Sequence, residues 1–320
     1  MSLRIVLFGT GDFALPTFSS LIESPEHEVV AVYTQPDRTG RGHHRHVNKV
    51  KVMAEANDVP VYQPEKVNTP EAVAQLRSLN ADVFVVAAYG QILKPEFLAV
   101  PPMGAFNLHG SLLPRHRGAA PVQYSIWKGD LEAGVTMFQI EPALDSGPMI
   151  GKVATKIRPT ETSGELMLRL ADLSVELTVR CLSELEQKTA TFEPQDVNLV
   201  TLSPKIRKED GLINWTQSAT EIDCHIRAMQ PWPKASSMLR IGDRPPFRCI
   251  IVKASPVPAG SGQPGSVEWN GQELLVGCAD GQLQVQTIQP AGKKSMDAGS
   301  FANGYGLGND AWFELPDSNP

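Results

Sequence analysis

Two continuous apolar runs constrain the fold of this chain more than any other feature. Residues 5–9 and 83–88 lack the polar alternation of a half-exposed strand. Such runs are typical of strands buried on both faces of a parallel sheet. Helical patterns separate the strand-like runs in the first half of the chain. We therefore predict an α/β fold, a Rossmann-like and mostly parallel sheet with helices on both faces.

The helices and the remaining strands follow from periodicity. The first helix carries Leu15 and Phe18, and we expect Asp12 to cap it. Leucines at helical spacing predict one long helix over residues 163–186, capped by Thr162 or Ser163. Two strand-like runs, 134–140 and 153–157, have no helical pattern between them. They predict a hairpin whose connection contains Asp145.

The pattern changes in the last third of the chain. A helix over residues 218–229 precedes short strand-like runs separated by turns rich in glycine and proline. This spacing predicts a small, OB-like β-barrel. The runs are 237–241, 247–252, 274–276 and 283–288. We divide the chain into a catalytic domain (1–189), a linker (190–206) and a C-terminal barrel domain (207–320).

Composition narrows the functional class. A hydrophobic content of 42% and a charged content of 20% are typical of a globular protein. Four widely spaced cysteines form no metal-binding pattern, so we expect no metal and a reducing compartment. The first apolar run is too short for a signal peptide or a membrane span. We expect a cytoplasmic monomer that does not bind membranes.

The stretch 107–118 contains the most residues suited to catalysis, and it begins on another predicted strand, 105–109. Asn107 and His109 alternate, so both side chains point to one face of that strand. Asp145 supplies a carboxylate on a loop further along the chain. An amide, an imidazole and a carboxylate can together stabilise an oxyanion and move a proton. This combination suits the attack of an amine on an acyl-type carbon.

A dinucleotide-binding alternative arises from residues 9–14, which fit the Gly-x-Gly-x-x-Ala fingerprint. An acidic residue should follow at the end of the second strand, but Tyr33, Thr34 and Gln35 stand there. We therefore interpret the glycines as a tight structural turn. A nucleotide-binding dehydrogenase remains the alternative interpretation.

A basic segment follows the second predicted strand. Its five cationic side chains face only one carboxylate, Asp37, although the whole chain has a net charge of −6. The five are Arg38, Arg41, Arg45, Lys49 and Lys51. Ligands bind at the carboxyl ends of strands in open α/β sheets, so the segment is a candidate anion-binding loop. A merely solvated face is the competing interpretation.

The motifs together resemble the folate-dependent formyltransferase family. Asn107-Leu108-His109-Gly110-Ser111-Leu112-Leu113-Pro114 with the later Asp145-Ser146-Gly147 is similar to that family's signature. Further matching stretches lie at residues 35–38, 89–93, 117–121, 213–215, 226–228, 231–233 and 289–294. They span nearly the whole chain. Within the family the resemblance is strongest to the branch whose acceptor is a tRNA.

The resemblance implies specific roles. The catalytic asparagine, histidine and aspartate fall on Asn107, His109 and Asp145. The donor is 10-formyltetrahydrofolate, and the residues expected to bind it are Ser111, Leu112, Leu113, Pro114, Tyr89, Gly90, Gln91 and Ile92. The acceptor is the amino group of initiator methionyl-tRNA, whose expected contacts are Arg38, Arg41, Arg45 and Lys49. The C-terminal barrel is expected to bind tRNA as well.

Two further interpretations remain open from the sequence. A formyltransferase of the same family can act on a sugar nucleotide or another small amine, since the catalytic motif is shared. A non-catalytic RNA-binding module built on the barrel is the third class. Formyl transfer to methionyl-tRNA separates both from the main interpretation.

Overall fold

A computed structural model describes residues 2–37, 47–257, 262–308 and 310–315. The chain divides into two compact units. The first comprises Met1–Pro121, Glu132–Lys156 and Leu166–Pro204, and the second comprises Val122–Leu131, Ile157–Glu165 and Lys205–Pro320.

The part of the chain up to Pro204 alternates strands with helices. Its strands are β1 (Arg4–Gly9), β2 (Glu28–Tyr33), β3 (Val61–Tyr62), β4 (Val83–Ala87), β5 (Ala105–His109), β6 (Arg117–Gly118), β7 (Glu132–Gln139), β8 (Met149–Lys156) and β9 (Leu202–Ser203). Its helices are α1 (Leu15–Glu23), α2 (Lys49–Ala56), α3 (Pro70–Ser78), α4 (Pro95–Leu98), α5 (Pro121–Trp127) and α6 (Ser163–Glu186).

Seven of these strands form one sheet in the order β3-β2-β1-β4-β5-β7-β8. Pairing is parallel from β3 to β5, whereas β7 and β8 add an antiparallel hairpin. This is the predicted mostly parallel sheet, and the hairpin around Asp145 is confirmed. The register places Asn107 beside Val86 and Phe138, and His109 beside Thr136. The first sheet therefore changes from parallel to antiparallel pairing at the strand that carries the motif.

The core of the first sheet explains the apolar runs. Phe8 lies at its centre and contacts the rings of Tyr33, Phe84, Tyr89 and Phe97 at centroid distances of 4.8 to 5.4 Å. All five side chains are buried. Strands β1, β2 and β4 contribute Phe8, Tyr33 and Phe84, and these strands can have no polar face where both faces of the sheet are covered.

Local sequence signals set several helix ends, but not every predicted cap forms. Thr69 caps α3 through the backbone N–H of Ala72, as a threonine at this position can. The prediction that Asp12 caps α1 is wrong, because that helix has no side-chain cap. The Asp12 carboxylate instead accepts a hydrogen bond from the Lys49 ammonium at 2.7 Å. The Asp12 carboxylate thus bonds a lysine that is distant in sequence, and it does not cap the helix next to it.

The second unit contains the predicted barrel. Helix α7 (Ala219–Ala228) is capped by Ser218, whose side chain forms a capping box with Glu221. The strands after it are β10 (Ser236–Ile241), β11 (Phe247–Val257), β12 (Val267–Trp269), β13 (Leu274–Gly277), β14 (Gln282–Pro290), β15 (Met296–Asp297) and β16 (Ala311–Phe313), with helix α8 (Ala298–Tyr305) between the last two.

The strand order of the second sheet is β12-β13-β14-β11-β10-β16. An antiparallel bridge between Ser266 and Trp312 joins its two ends, so the sheet nearly closes on itself. Trp215 lies fully buried inside, stacks on Phe313 at 5.0 Å and donates its indole N–H to Ser237. The barrel-like architecture expected from the turn spacing is confirmed.

Three further observations concern the cysteines, membrane-spanning helices and metal-binding groups. Cys181, Cys224, Cys249 and Cys278 are free thiols, and each is buried. Across the ranges that the structure describes, no helix is long and apolar enough to span a membrane. In the same ranges, histidine, cysteine and acidic side chains form no group of three that could hold a metal ion.

Candidate active site

His109 ends β5 with a defined tautomer. Its side chain is 5% exposed, and its Nε2 lies 2.8 Å from the carbonyl oxygen of His116. A carbonyl oxygen can only accept, so Nε2 carries the hydrogen. The lone pair of the neutral imidazole is therefore on Nδ1.

The electrostatic surroundings favour the neutral form of His109. Burial lowers the pKa of His109, because loss of water disfavours the imidazolium. The Asp145 carboxylate and the hydrogen bond to the His116 carbonyl oppose this lowering, and the His116 side chain adds to it. The imidazole at the end of β5 is therefore an available base at neutral pH.

Asp145 approaches His109 from the loop between β7 and β8. Its backbone φ is +46°, a left-handed conformation that is uncommon for residues other than glycine. Its Oδ2 accepts the backbone N–H of Gly118 at 2.8 Å and lies 3.7 Å from Nδ1 of His109. This second distance exceeds that of a hydrogen bond. Two proton acceptors thus face each other across a gap that one donor could bridge.

Asn107 lies two residues before His109 on the same strand. Its side chain is partly buried, and no described residue forms a hydrogen bond with its amide. The alternation of β5 directs Asn107 and His109 to one face, as the sequence predicted. The amide N–H groups of Asn107 are thus available to a ligand on that face.

The loop after His109 is held by hydrogen bonds and packing. Ser111 donates its hydroxyl to the Arg115 carbonyl at 2.6 Å. Thr136 bonds both the Ser111 carbonyl and the Leu113 N–H. Leu113 is buried against Phe138 and Met149. The side chains of Ser111 and Leu113 therefore build the loop.

The other two residues of this predicted folate stretch are more accessible. Leu112 and Pro114 are partly buried, and the side chain of Leu112 lies against Gly134. A side chain at Gly134 would come within 2.4 Å of Leu112. The same side chain would come within 2.2 Å of the Val153 carbonyl, so glycine on β7 permits both the strand pairing and the packing of this leucine.

The residues expected to bind folate after β4 divide into two groups. The Tyr89 ring is part of the core around Phe8, and Gln91 holds the backbone of Val67 and Pro64 through its amide. Gly90 and Ile92 are exposed, and Ile92 is 85% accessible. The Tyr89 carbonyl also accepts the Gln35 side-chain amide at 2.8 Å, so the accessible surface after β4 comes from Gly90 and Ile92.

The structure describes only part of the predicted basic loop. Arg38, Arg41 and Arg45 lie outside the described residues. Lys49 forms an ion pair with Asp12 at 2.7 Å, and both side chains are well exposed. An exposed pair of this kind is weak, so it leaves the Lys49 charge accessible to another anion.

Three residues near the site were not anticipated from the sequence, and all lie in the predicted linker. Gln195 donates to the carbonyls of Asp145 and Gly147, each at 2.8 Å. Ser203 donates to the His116 carbonyl at 2.8 Å, and Thr201 accepts the His116 N–H. Neither periodicity nor any motif singles out these residues.

Gly118 was part of a matching motif, but its role needed the structure. Its φ is +128°, and a side chain there would come within 2.5 Å of the Ser203 carbonyl. Strand β9 pairs with β6 at this point. Glycine is therefore required for both the backbone conformation and the close approach, and its N–H is thereby aimed at Asp145.

Comparison with known proteins gives two family matches. The family described as Formyl transferase matches residues 3–182, and the Formyl transferase C-terminal domain matches residues 205–306. A protein from Rhodopirellula baltica named methionyl-tRNA formyltransferase is 40% identical over 323 residues, covering 96% of this chain and 95% of its own. One of the same name from Magnetococcus marinus is 41% identical over 306 residues, covering 95% and 96%.

Solved structures share the fold at low identity. A sugar 3N-formyl transferase, WlaRD, solved with dTDP and 5-N-formyl-THF, has a TM-score of 0.66 at 17% identity and covers 92% of this chain and 100% of its own. HypX from Aquifex aeolicus, solved with tetrahydrofolic acid, has a TM-score of 0.60 at 17% identity, covering 95% and 48%. These likenesses concern the fold alone.

Proposed function

Because the chain belongs to the formyl transferase family, we propose that it formylates initiator methionyl-tRNA. The formyl group comes from 10-formyltetrahydrofolate, and the product is N-formylmethionyl-tRNA for translation initiation. Two relatives of that name align with this chain over at least 95% of its length, and their identities are about 40%. The proposed location is the cytoplasm, where the acceptor tRNA is charged and used.

The pair of acceptors formed by His109 and Asp145 carries the proposal. Nδ1 and Oδ2 lie 3.7 Å apart, and each group is held by a backbone partner elsewhere. A protonated or attacking amine can donate to both atoms at once. The site therefore suits an amino group as the acceptor of the reaction, as methionyl-tRNA provides.

The first step forms the new C–N bond. The amine lone pair attacks the formyl carbon, and the carbonyl π electrons move to the formyl oxygen. We assign the Asn107 amide to donate to that oxyanion, since no other described group uses it. The new ammonium transfers its proton to Nδ1 of His109, and Asp145 stabilises the resulting imidazolium.

The second step breaks the bond to folate. The oxyanion re-forms the carbonyl, and the electrons of the old C–N bond return to N10 of the folate. His109 returns its proton to that nitrogen, which leaves the imidazole neutral. Because Nε2 is committed to the His116 carbonyl, Nδ1 serves as base and then as acid.

The loops beside β4 and β5 suit a flat donor with polar edges. Ile92 offers an exposed apolar side chain, and Gly90 offers backbone without one. Leu112 and Pro114 extend the apolar surface after β5. We assign donor binding to these groups, because the side chains of Tyr89, Gln91, Ser111 and Leu113 are already used within the fold.

The basic segment is the proposed site of tRNA contact. Arg38, Arg41, Arg45 and Lys49 concentrate positive charge in a chain of net charge −6. Phosphate contacts release counterions, so each contributes about 0.7 to 0.9 to the slope of log affinity against log salt. Arg41→Ala and Lys49→Ala are expected to weaken tRNA binding, each with a flatter salt dependence. Unchanged affinity and turnover of the double variant across a salt series would contradict this role.

A direct assay tests the function. The purified chain, 10-formyltetrahydrofolate and methionyl-tRNA should give formylmethionyl-tRNA, with tetrahydrofolate formed in equal amount. Free methionine, uncharged tRNA and an amino-sugar nucleotide serve as controls in place of methionyl-tRNA. Transfer to the amino-sugar nucleotide but not to methionyl-tRNA would assign this chain to another acceptor.

A further inference from the structure

The segment of residues 193–203, here called the strap, runs beside both proposed reacting side chains. It leaves a bridge between Glu193 and Met149 and ends at β9, which pairs with β6. All of these residues belong to the first unit. The strap was predicted to be a linker, yet the side chains of Gln195, Thr201 and Ser203 form hydrogen bonds with groups of the site.

Gln195 uses every hydrogen bond that a primary amide can form. Its Nε2 donates to the carbonyls of Asp145 and Gly147, each at 2.8 Å. Its Oε1 accepts from Nε and Nη2 of Arg117, at 3.0 and 2.8 Å. The side chain is 9% exposed. A buried amide whose donors and acceptor are all hydrogen-bonded holds each of its partners in one position.

Those partners determine where the Asp145 carboxylate lies. Asp145 adopts its left-handed backbone at +46°, a conformation that persists only when its surroundings hold it. Gln195 bonds the carbonyls on both sides of this turn. The turn also requires glycine at position 147, because a side chain there would come within 1.8 Å of the Gln139 carbonyl.

A second contact of the strap holds His109. The His116 carbonyl accepts the Nε2–H of His109 and the hydroxyl of Ser203, each at 2.8 Å. Thr201 accepts the backbone N–H of His116 and lies 3.3 Å from its ring Nδ1. The carbonyl that sets the tautomer of His109 is therefore itself fixed by the strap.

We infer that the strap positions the reaction, with Gln195 aligning Asp145 and with Ser203 and Thr201 holding the carbonyl that orients His109. Gln195 is a positioning residue, since it acts through Asp145 and touches no reacting atom. This inference rests on the proposed formyl transfer for its kinetic test. Its geometric test, an NMR titration of His109, needs no substrate.

The kinetic test is a double-mutant cycle with formyl transfer to methionyl-tRNA as the readout. Gln195→Met should lower kcat by about 10- to 100-fold, because small misplacements of reacting groups are costly. KM for both substrates should stay within about threefold. Asp145→Asn combined with Gln195→Met should be less than about threefold slower than Asp145→Asn alone, since the two residues act as one. Independent, multiplicative losses would overturn the inference.

Matched variants separate positioning from folding. Gln187→Met makes the same change at an exposed glutamine that bonds only Ser183 among the described residues, and it should leave kcat unchanged. Gln195→Glu keeps the shape and the contact with Arg117, but turns an oxygen toward two carbonyls. If Gln195→Met does not fold, Gln195→Glu should still fold and lose kcat. Wild-type kcat in a folded Gln195→Glu protein would overturn the inference.

The geometric test follows the titration of His109 by NMR. The charged and titratable groups near its ring are Asp145, His116 and, through Gln195, Arg117. Weaker alignment of Asp145 removes an influence that raises the pKa, so Gln195→Met should lower the pKa of His109. Gln187→Met should not change it.

Failure of each idea gives a distinct result. Wild-type protein that formylates no methionyl-tRNA contradicts the proposed function, whatever the NMR shows. An unchanged His109 pKa in folded Gln195→Met contradicts the positioning role, even in an active enzyme.

Discussion

Two buried histidines in this protein share nearly all their local chemistry and differ in one respect. His109 and His225 are 5% and 3% exposed, and each places Nε2 on a backbone carbonyl, at 2.8 and 2.6 Å. Burial lowers the pKa of both. The difference is what lies around the rest of the ring. His109 presents Nδ1 to the Asp145 carboxylate, whereas the His225 ring lies against Trp127 at 5.4 Å.

This difference shows why burial alone does not identify a reactive histidine. The Asp210 carboxylate also raises the pKa of His225, and its Oδ2, like that of Asp145, accepts a backbone N–H. The Asp145 side chain retains 17% exposure beside His109. His109 can thus receive a proton from a ligand, and the Asp145 carboxylate stabilises the resulting imidazolium. The other histidine serves the packing of its own unit.

Removing the His109 imidazole should lower turnover more than any other single change, and far more than the matched change at His225. His109→Ala is expected to lower kcat by about 10²- to 10⁴-fold, because the proton transfers of both steps depend on this imidazole. The His116 carbonyl keeps the Ser203 hydroxyl, so folding should be little affected. Steady-state turnover and thermal unfolding measure both effects. A folded His109→Ala protein with normal turnover would remove this histidine from the mechanism.

The matched change in the second unit should have the opposite profile. His225→Ala is expected to cost about 1 to 3 kcal/mol of stability, because the Asp210 carbonyl loses its donor. Its kcat should stay within about threefold of wild type under conditions where it is folded. A loss of turnover as large as that of His109→Ala, without unfolding, would break the distinction between the two histidines.

Removing only the carboxylate charge should have an intermediate effect. Asp145→Asn is expected to lower kcat by about 10- to 100-fold, with folate affinity within about tenfold of wild type. The Asp145 charge raises the pKa of His109, so its loss should move the acid limb of the pH–kcat profile to lower pH. A large loss of folate affinity with unchanged single-turnover chemistry would instead indicate a binding role.

The free energy of unfolding should depend on pH through both histidines. Both have a lower pKa in the folded chain than the ordinary value of 6.5, so the unfolded chain binds protons first as pH falls. Their contribution to stability is complete above pH 6.5 and is lost below it, by at most about 1.4 kcal/mol per pH unit for each.

Urea unfolding at pH 7.5 and 5.5 measures this loss. His225→Phe removes one titrating group, so its stability deficit against wild type should shrink at the lower pH. A deficit that stays constant or grows would contradict the lowered pKa of His225.

The smallest expected effect concerns the ring that packs on His225. Trp127→Leu removes part of the apolar cover, so the pKa of His225 should rise toward its ordinary value. Turnover should remain within about twofold. NMR titration of His225 measures the shift, and a pKa that falls in this variant would show that the tryptophan is not a source of the desolvation.

Much of the architecture was accessible from local patterns. Continuous apolar runs predicted the parallel strands, because strands covered on both faces can carry no polar side. Turn spacing predicted the barrel, and strand alternation placed Asn107 and His109 on one face. These inferences succeeded because each depends on neighbours within a few residues along the chain. The capping role predicted for Asp12 failed because Lys49, a distant residue, bonds that carboxylate.

The sequence by itself determined which chemical groups this protein has and on which strands and loops they lie. Tertiary structure decided which atoms of those groups remain available. Gln195 meets Asp145 across 50 positions, and Ser203 meets the His116 carbonyl across 87. No local pattern encodes such contacts, since the hydrogen-bonding groups of a glutamine or a serine suit many partners equally well. Only the path of the strap makes one set of partners reachable, and that path fixes the tautomer of His109 and the position of Asp145.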